Sequence, residues 1–286
     1  MKTAVIDIGS NSVRYALFTP ATVVAAKKLN STVLADGLFF SGKLSDEAMA
    51  RTINAVVAFC REAREQNADE IYIFATEAVR AARNGKAFAE AVEKACGVTV
   101  DVIEGAVEAQ IGFSGATVPS DEQTAVFDMG GASCEVILGK SGRISYAQSF
   151  PIGCVRLRDG AGKDKQKAER MVAATLPSFL PPAAVAVGIG GTATALGGML
   201  HCPKCYDPAV THGSFVPLSF LQHAADLFFQ GADMQTLYPS LSPARARVIG
   251  YGALAALRIL ELLSLDGFTV SERDNMEGYY EMHRKK

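Results

Sequence analysis

Residues 3–9, Thr-Ala-Val-Ile-Asp-Ile-Gly, return at 124–130 as Thr-Ala-Val-Phe-Asp-Met-Gly, at a constant offset of 121 positions. The match continues at Ser12 with Ser133 and at Leu17 with Leu138. Polar positions repeat as well as apolar ones, so the pattern points to a duplicated unit with a shared task. In each copy an apolar strand delivers an aspartate, a tight turn of small residues follows, and a second strand returns. Around these copies, strand-like runs alternate with helical spacing. Glu70–Ala75 and Val98–Ile103 read as strands, and Phe88–Ala95 reads as a helix that ends before Gly97. Asp46–Gln66 carries Met49, Ile53, Val56, Val57 and Cys60 at helical spacing. The alternation predicts α/β layers. The expected division is two related domains, 1–121 and 122–286, whose Asp7 and Asp128 loops face one cleft. Pro119–Gln123 reads as the junction, Arg158–Gln166 as a charged surface loop, Ser242–Leu263 as one long helical segment, and His283–Lys286 as a frayed basic end.

The chain has 286 residues, 49% of them hydrophobic, which suffices for full cores and excludes a disordered protein. Its formal charge of −2 argues against wholesale electrostatic binding of nucleic acid. An anionic ligand would therefore be held by local backbone amides and a few cations. The most apolar run, Val185–Leu200, is broken by five glycines and two threonines, so no membrane association is expected. Met1-Lys2-Thr3 opens without a signal-peptide pattern, and six scattered cysteines suit a reducing cytoplasm.

The first loop is Asp7-Ile8-Gly9-Ser10-Asn11-Ser12. Glycine lets the backbone approach a ligand, successive amides can cradle an anion, and Asn11 and Ser12 add donors. Asp7 would hold a metal or its bound water, because it would otherwise repel phosphate. The second loop, Asp128-Met129-Gly130-Gly131-Ala132-Ser133-Cys134-Glu135, has the same design, and Glu135 can complete a hard-cation site with Asp128. A third cluster, Gly190-Gly191-Thr192, follows a strand and opens a helix, whose N-terminal amides suit an anion. Its alternative is plain strand–helix packing through small residues. Glu104 and Glu108 lie four apart and would share a helix face, so spacing alone lets either act as a base. Arg80 is read as a phosphate clamp or a structural ion pair, and Arg14 and Arg156 as structural residues in strand-like patterns. His201, Cys202, Cys205 and His212 could supply four zinc ligands, with surface thiols as the alternative.

Six segments in order resemble the exopolyphosphatase and guanosine pentaphosphate phosphatase family: AVIDIGSNSVRY from Ala4, ATEAVR from Ala75, VIEGAVEA from Val102, the second loop from Phe127, PIGCVRL from Pro151 and GGTATAL from Gly190. The resemblance implies an α/β fold of two actin-like (ribonuclease H-like) domains, with the active site in the cleft between them. It selects Glu108 as the catalytic glutamate. It also implies phosphate binding by the loop amides and Arg80, with Mg2+ or Mn2+ held by Asp128 and Glu135. The loop residues Gly130, Gly131, Ala132 and Ser133, with Gly190, Gly191 and Thr192, are the expected substrate contacts. The chain has room for the two core domains alone. It departs from the family pattern at Ala132 for glycine, Cys134 for threonine, Glu77 for serine and Met276 for arginine. The Ala132 methyl is expected to crowd a phosphate or oppose a positive-φ backbone.

The function expected is release of terminal phosphate from inorganic polyphosphate or guanosine pentaphosphate. Alternatives are a non-catalytic sensor of the same anions, kept open by Ala132 and Met276, and a small-molecule kinase of the same superfamily. A homodimer is left open.

Overall fold

The structure is a computed structural model that describes residues 1–22, 25–117 and 121–284. Part of the expected junction at Pro119–Gln123, and Lys285 and Lys286 of the basic end, lie outside the described residues. The first half contains β1 (Thr3–Ile8), β2 (Val13–Phe18), β3 (Lys27–Asn30), α1 (Leu38–Ser41), α2 (Asp46–Glu65), β4 (Glu70–Ala75), α3 (Glu77–Ala81), α4 (Gly85–Cys96), β5 (Val100–Val102) and α5 (Gly105–Ala116). The second half opens with β6 (Thr124–Met129), β7 (Cys134–Lys140), β8 (Arg143–Phe150), α6 (Cys154–Ala161), α7 (Lys165–Thr175), β9 (Val185–Ile189) and α8 (Gly190–His201). It closes with α9 (Pro208–Thr211), β10 (Phe215–Pro217), α10 (Leu218–Phe229), α11 (Met234–Leu237), α12 (Pro243–Ala246), α13 (Ile249–Leu263), β11 (Gly267–Val270) and α14 (Asn275–His283).

The strands form two mixed sheets, β3-β2-β1-β4-β5 and β10-β11-β9-β6-β7-β8. Apart from the added β10, the second repeats the first in order and direction. The repeat extends to register: Thr3 faces Phe18 as Thr124 faces Gly139, and Asp7 faces Arg14 as Asp128 faces Glu135. β1 and β6 are buried along their whole length, so both faces of each central strand need apolar cover.

Helices cover those faces. Ile6, Ile8, Val56, Cys60 and Phe88 share the core under α2 and α4, while Phe127, Leu196, Ile259 and Phe268 share the core under α8 and α13. The strands divide between β5 and β6, but the two helices between the sheets do not follow that division. α14 packs Met276, Tyr279 and Tyr280 on Val5, Phe18 and Phe74 of the first sheet. α5 packs Ala109 and Phe113 on Val126 and Ile137 of the second. The two helices cross at glycine contacts. A Cβ on Gly115 would fall 2.0 Å from the Asp274 carbonyl oxygen, and one on Gly278 would fall 1.9 Å from that of Ile111.

Several local expectations need correction. Arg158–Gln166 is not one loop, since α6 runs to Ala161 and α7 starts at Lys165. Asp164 caps α7 by accepting from the Lys167 amide, so helix resumes after a short turn. Ser242–Leu263 is not one helix but α12 and α13, separated at Arg247 and Val248. Arg156 lies on α6 and not in a strand.

Candidate active site

β1 and β6 end side by side in the cleft, and their turns are closed by the same bond. The Gly9 amide donates to the Ser12 carbonyl at 3.0 Å, and Gly130 to Ser133 at 3.0 Å. The turns touch: a Cβ on Gly131 would come 2.7 Å from that of Ser10. Between them lies a recess of about 70 Å3 lined by both loops and by Glu108, Glu135, Gly190, Gly191, Arg245 and Asn275. The α8 N-terminus therefore joins the two loops, with Gly190 in the left-handed region at φ 73° against the Asp128 carboxylate.

Four carboxylates meet this recess: Asp7, Glu108, Asp128 and Glu135. Burial pushes Asp128 up to about 8, reinforced by Glu135. Glu108 is raised well above its ordinary value by burial and then by Glu135, against the lowering effect of Arg80. Glu135 is also raised by burial, although Ser149 donates to its Oε1 at 2.6 Å. Asp7 gives its Oδ2 to Arg14, at 2.8 Å from Nε and 2.5 Å from Nη2, and its Oδ1 is buried without a partner. Arg14 reaches Asp274 with its other arm at 2.5 Å. Burial alone would raise Asp274, but Arg14 and Lys27 outweigh it and hold the carboxyl below the usual range. Arg14, read in the sequence as a structural strand residue, bridges Asp7 and Asp274 and also lines the recess.

The donors fit a hard divalent cation. Asp128 and Glu135 are cross-strand neighbours, and the Oδ1 atoms of Asp7 and Asn275 are buried oxygens without partners. Among the described residues no three His, Cys, Asp or Glu side chains form a ready-made cage. A Mg2+ or Mn2+ held there would draw its remaining ligands from water and phosphate oxygens, as Mg2+ usually does.

The expected site residues do not all reach the recess. Asn11, Ser12, Gly130, Gly131, Ser133, Gly190 and Gly191 line it, as do Asp7, Glu108, Asp128 and Glu135. Ala132 does not: its side chain is buried in the first half's core beside Val155, and its backbone is not at positive φ. Its methyl therefore crowds no ligand. Thr192 is turned away, donating to the Met129 carbonyl at 2.6 Å. Arg80 stands behind Glu108, 3.3 Å from its Oε2, and holds Glu77 at 2.7 Å and the Ile103 carbonyl. Glu104 caps α5 from an exposed position, so it shares no face with buried Glu108. Met276 is fully buried against the first sheet, and its neighbour Asn275 faces the site instead, donating to Asp128 at 3.2 Å. Arg156 donates to the Ala132 carbonyl at 2.8 Å. The zinc reading finds no support: among the described residues His201, Cys202, Cys205 and His212 form no group placed to hold a metal.

Arg245 was not singled out in the sequence. It is held by Thr192 Oγ1 at 3.0 Å, and burial lowers its pKa. It pairs with no carboxylate among the described residues, which leaves a guanidinium facing the recess beside Gly191. The only sequence signal was its place in Ser-Pro-Ala-Arg before a glycine-rich helix, which resembles any helix start. Arg14, Asn11, Gly190, Gly191 and Arg245 also border a second cavity of about 790 Å3, walled by Leu29, Ala195, Tyr206, Pro208 and Leu241.

Comparisons with known proteins find relatives over nearly the whole chain. Exopolyphosphatase 2 of Mycobacterium tuberculosis is 29% identical over 309 residues, covering 97% of each chain. The guanosine-5'-triphosphate,3'-diphosphate pyrophosphatase of Vibrio vulnificus is 29% identical over 301 residues, and the match spans 98% of this chain but 59% of that protein. The crystal structure of the Aquifex aeolicus Ppx/GppA family member superposes with a TM-score of 0.77 at 25% identity, covering 100% and 99% of the two chains. An exopolyphosphatase-like crystal structure gives a TM-score of 0.87, also at 25% identity, covering 98% of each. The profile of the Ppx/GppA phosphatase family matches residues 5–284, and the chain, with its duplicated loops and sheets, belongs to that family.

Proposed function

We propose that the protein releases terminal phosphate from inorganic polyphosphate or guanosine pentaphosphate by attack of water. The observation that carries this is Glu108: a buried carboxylate, raised in pKa, facing two glycine loops across one small recess. The loop amide at Gly131, the α8 N-terminus at Gly190 and the Arg245 fork supply donors for the oxygens of the terminal phosphate. A divalent cation at Asp128 and Glu135 would neutralise phosphate charge. Glu108 orients a water in line with the bridging oxygen and accepts its proton as the new P–O bond forms and the old one breaks. The shortened chain leaves, and the proton on Glu108 passes to solvent.

The larger cavity favours a nucleotide as one substrate. Its wall of Leu29, Ala195, Pro208 and Leu241 is apolar, and Arg14, Lys27 and Arg245 line the same cavity beside Glu272 and Asp274. A nucleoside next to the phosphate recess suits both features.

Phosphate release from polyphosphate, guanosine pentaphosphate and ATP, with Mg2+ and with the Glu108→Gln variant as control, tests the reading. Release that depends on Glu108 supports it. Tight binding of the same anions without release would instead make the protein a sensor, and transfer from ATP to an added acceptor would make it a kinase.

A further inference from the structure

Asn11 also lines a third recess, of about 380 Å3, at the mouth of the cleft. Its wall combines Thr32, Asp36 and Arg51 of the first half with Arg158 and Arg247 of the second. Arg158 is committed: it donates to Asp36 at 2.6 Å and to Asp159 at 2.7 Å. Arg51 spends only its Nε, on the Thr32 carbonyl at 3.2 Å. Among the described residues Arg247 makes no side-chain hydrogen bond or ion pair, and the terminal nitrogens of Arg51 make none. Three guanidinium groups against two carboxylates leave one positive charge. Thr32 is 2% exposed, and its hydroxyl has no partner. A buried hydroxyl left unpaired costs about 1–3 kcal/mol, and Thr32 lines the recess beside the arginines. Guanidinium forks and a hydroxyl donor match the oxygens of a phosphate.

We propose that this recess is a second phosphate subsite, holding a phosphate of the substrate remote from the one cleaved. The proposal rests on the phosphohydrolase reading above. Two sources share the chemistry: a phosphate further along an inorganic chain, or the second phosphate branch of a nucleotide. Asn11 touches both recesses, so it lies where one ligand would pass from the first to the second.

The test compares kcat/KM within two substrate pairs: tripolyphosphate against long-chain polyphosphate, and GTP against guanosine pentaphosphate. Arg51→Ala/Arg247→Ala is set beside wild type, and Arg61→Ala, on an exposed position of α2, controls for lost positive charge. In at least one pair the member with a remote phosphate should lose about tenfold in the double variant, the worth of one charge-assisted hydrogen bond. Its short partner should hold constant. The pair that moves identifies the source. Equal losses in both members, or no loss in either pair, would overturn the subsite. If wild type releases no phosphate at all, the phosphohydrolase reading fails separately. Calorimetric Kd values for the same pairs then decide the subsite by the same rule.

Discussion

Arg14 and Glu135 occupy the same register position in the two sheets, Arg14 opposite Asp7 and Glu135 opposite Asp128. The duplicated frame thus carries opposite charges at one point. The first loop is neutralised internally, since Asp7 is paired with Arg14. The second is left with two adjacent buried carboxylates, which favours cation binding at that copy.

That asymmetry predicts where metal dependence resides. Asp128→Asn and Glu135→Gln should raise the Mg2+ concentration needed for half-maximal phosphate release, and EDTA should abolish wild-type release. Titrating Mg2+ against initial rate checks this. Release that survives exhaustive chelation would remove the metal from the reading.

Glu108→Gln keeps the shape of the buried side chain but loses the proton acceptor. Turnover should fall by about two to four orders of magnitude with an unchanged melting temperature. Glu104→Gln, on the exposed cap of α5, should stay near wild type. A dead Glu104→Gln variant would reverse the assignment.

Arg80 touches Glu108, so under the proposed reaction it would act through that residue as a positioning group. Its charge lowers the pKa of Glu108, so Arg80→Met should move the acidic limb of the kcat/KM profile to higher pH. Arg80→Lys should restore part of the shift. A raised KM with an unmoved limb would make Arg80 a phosphate clamp instead.

Arg245 is a buried cation without a carboxylate, an arrangement that costs stability. Arg245→Met should therefore raise KM by about tenfold while leaving the melting temperature equal or higher. Thermal melts and steady-state kinetics on the same preparation separate the two effects. A lower melting temperature with normal KM would assign Arg245 to the scaffold.

Stability of the metal-free protein should fall as pH rises. The folded pKa of Asp128 is about 8, against 3.8 for the ordinary group, so between these values the folded state binds more protons than the unfolded one. Stability is then lost progressively through that window. Asp128→Asn should flatten the decline in melts followed with EDTA present, and an unchanged slope would show that Asp128 ionises freely in the fold.

Much of this was legible before any coordinates. The offset of 121 joins matching residues at fixed spacing, and register in a hairpin is set by its turn and loop length, so the paired loops and both central strands could be read directly. Glu108 was found by motif order, and its environment by the fold. What tertiary structure decided are relations between segments far apart in the chain. α14, the last helix, covers the first sheet because its glycine lets it cross α5 at close range, and this seats Met276 in the core and turns Asn275 to the site. Whether an arginine pairs with a carboxylate or faces a ligand depends on what surrounds it. Arg245 lies 53 positions from Thr192, whose hydroxyl accepts from its guanidinium, and no local pattern records that distance being closed. The direction of the Ala132 methyl follows from packing across the cleft, and the commitment of Thr192 from α8 meeting the end of β6.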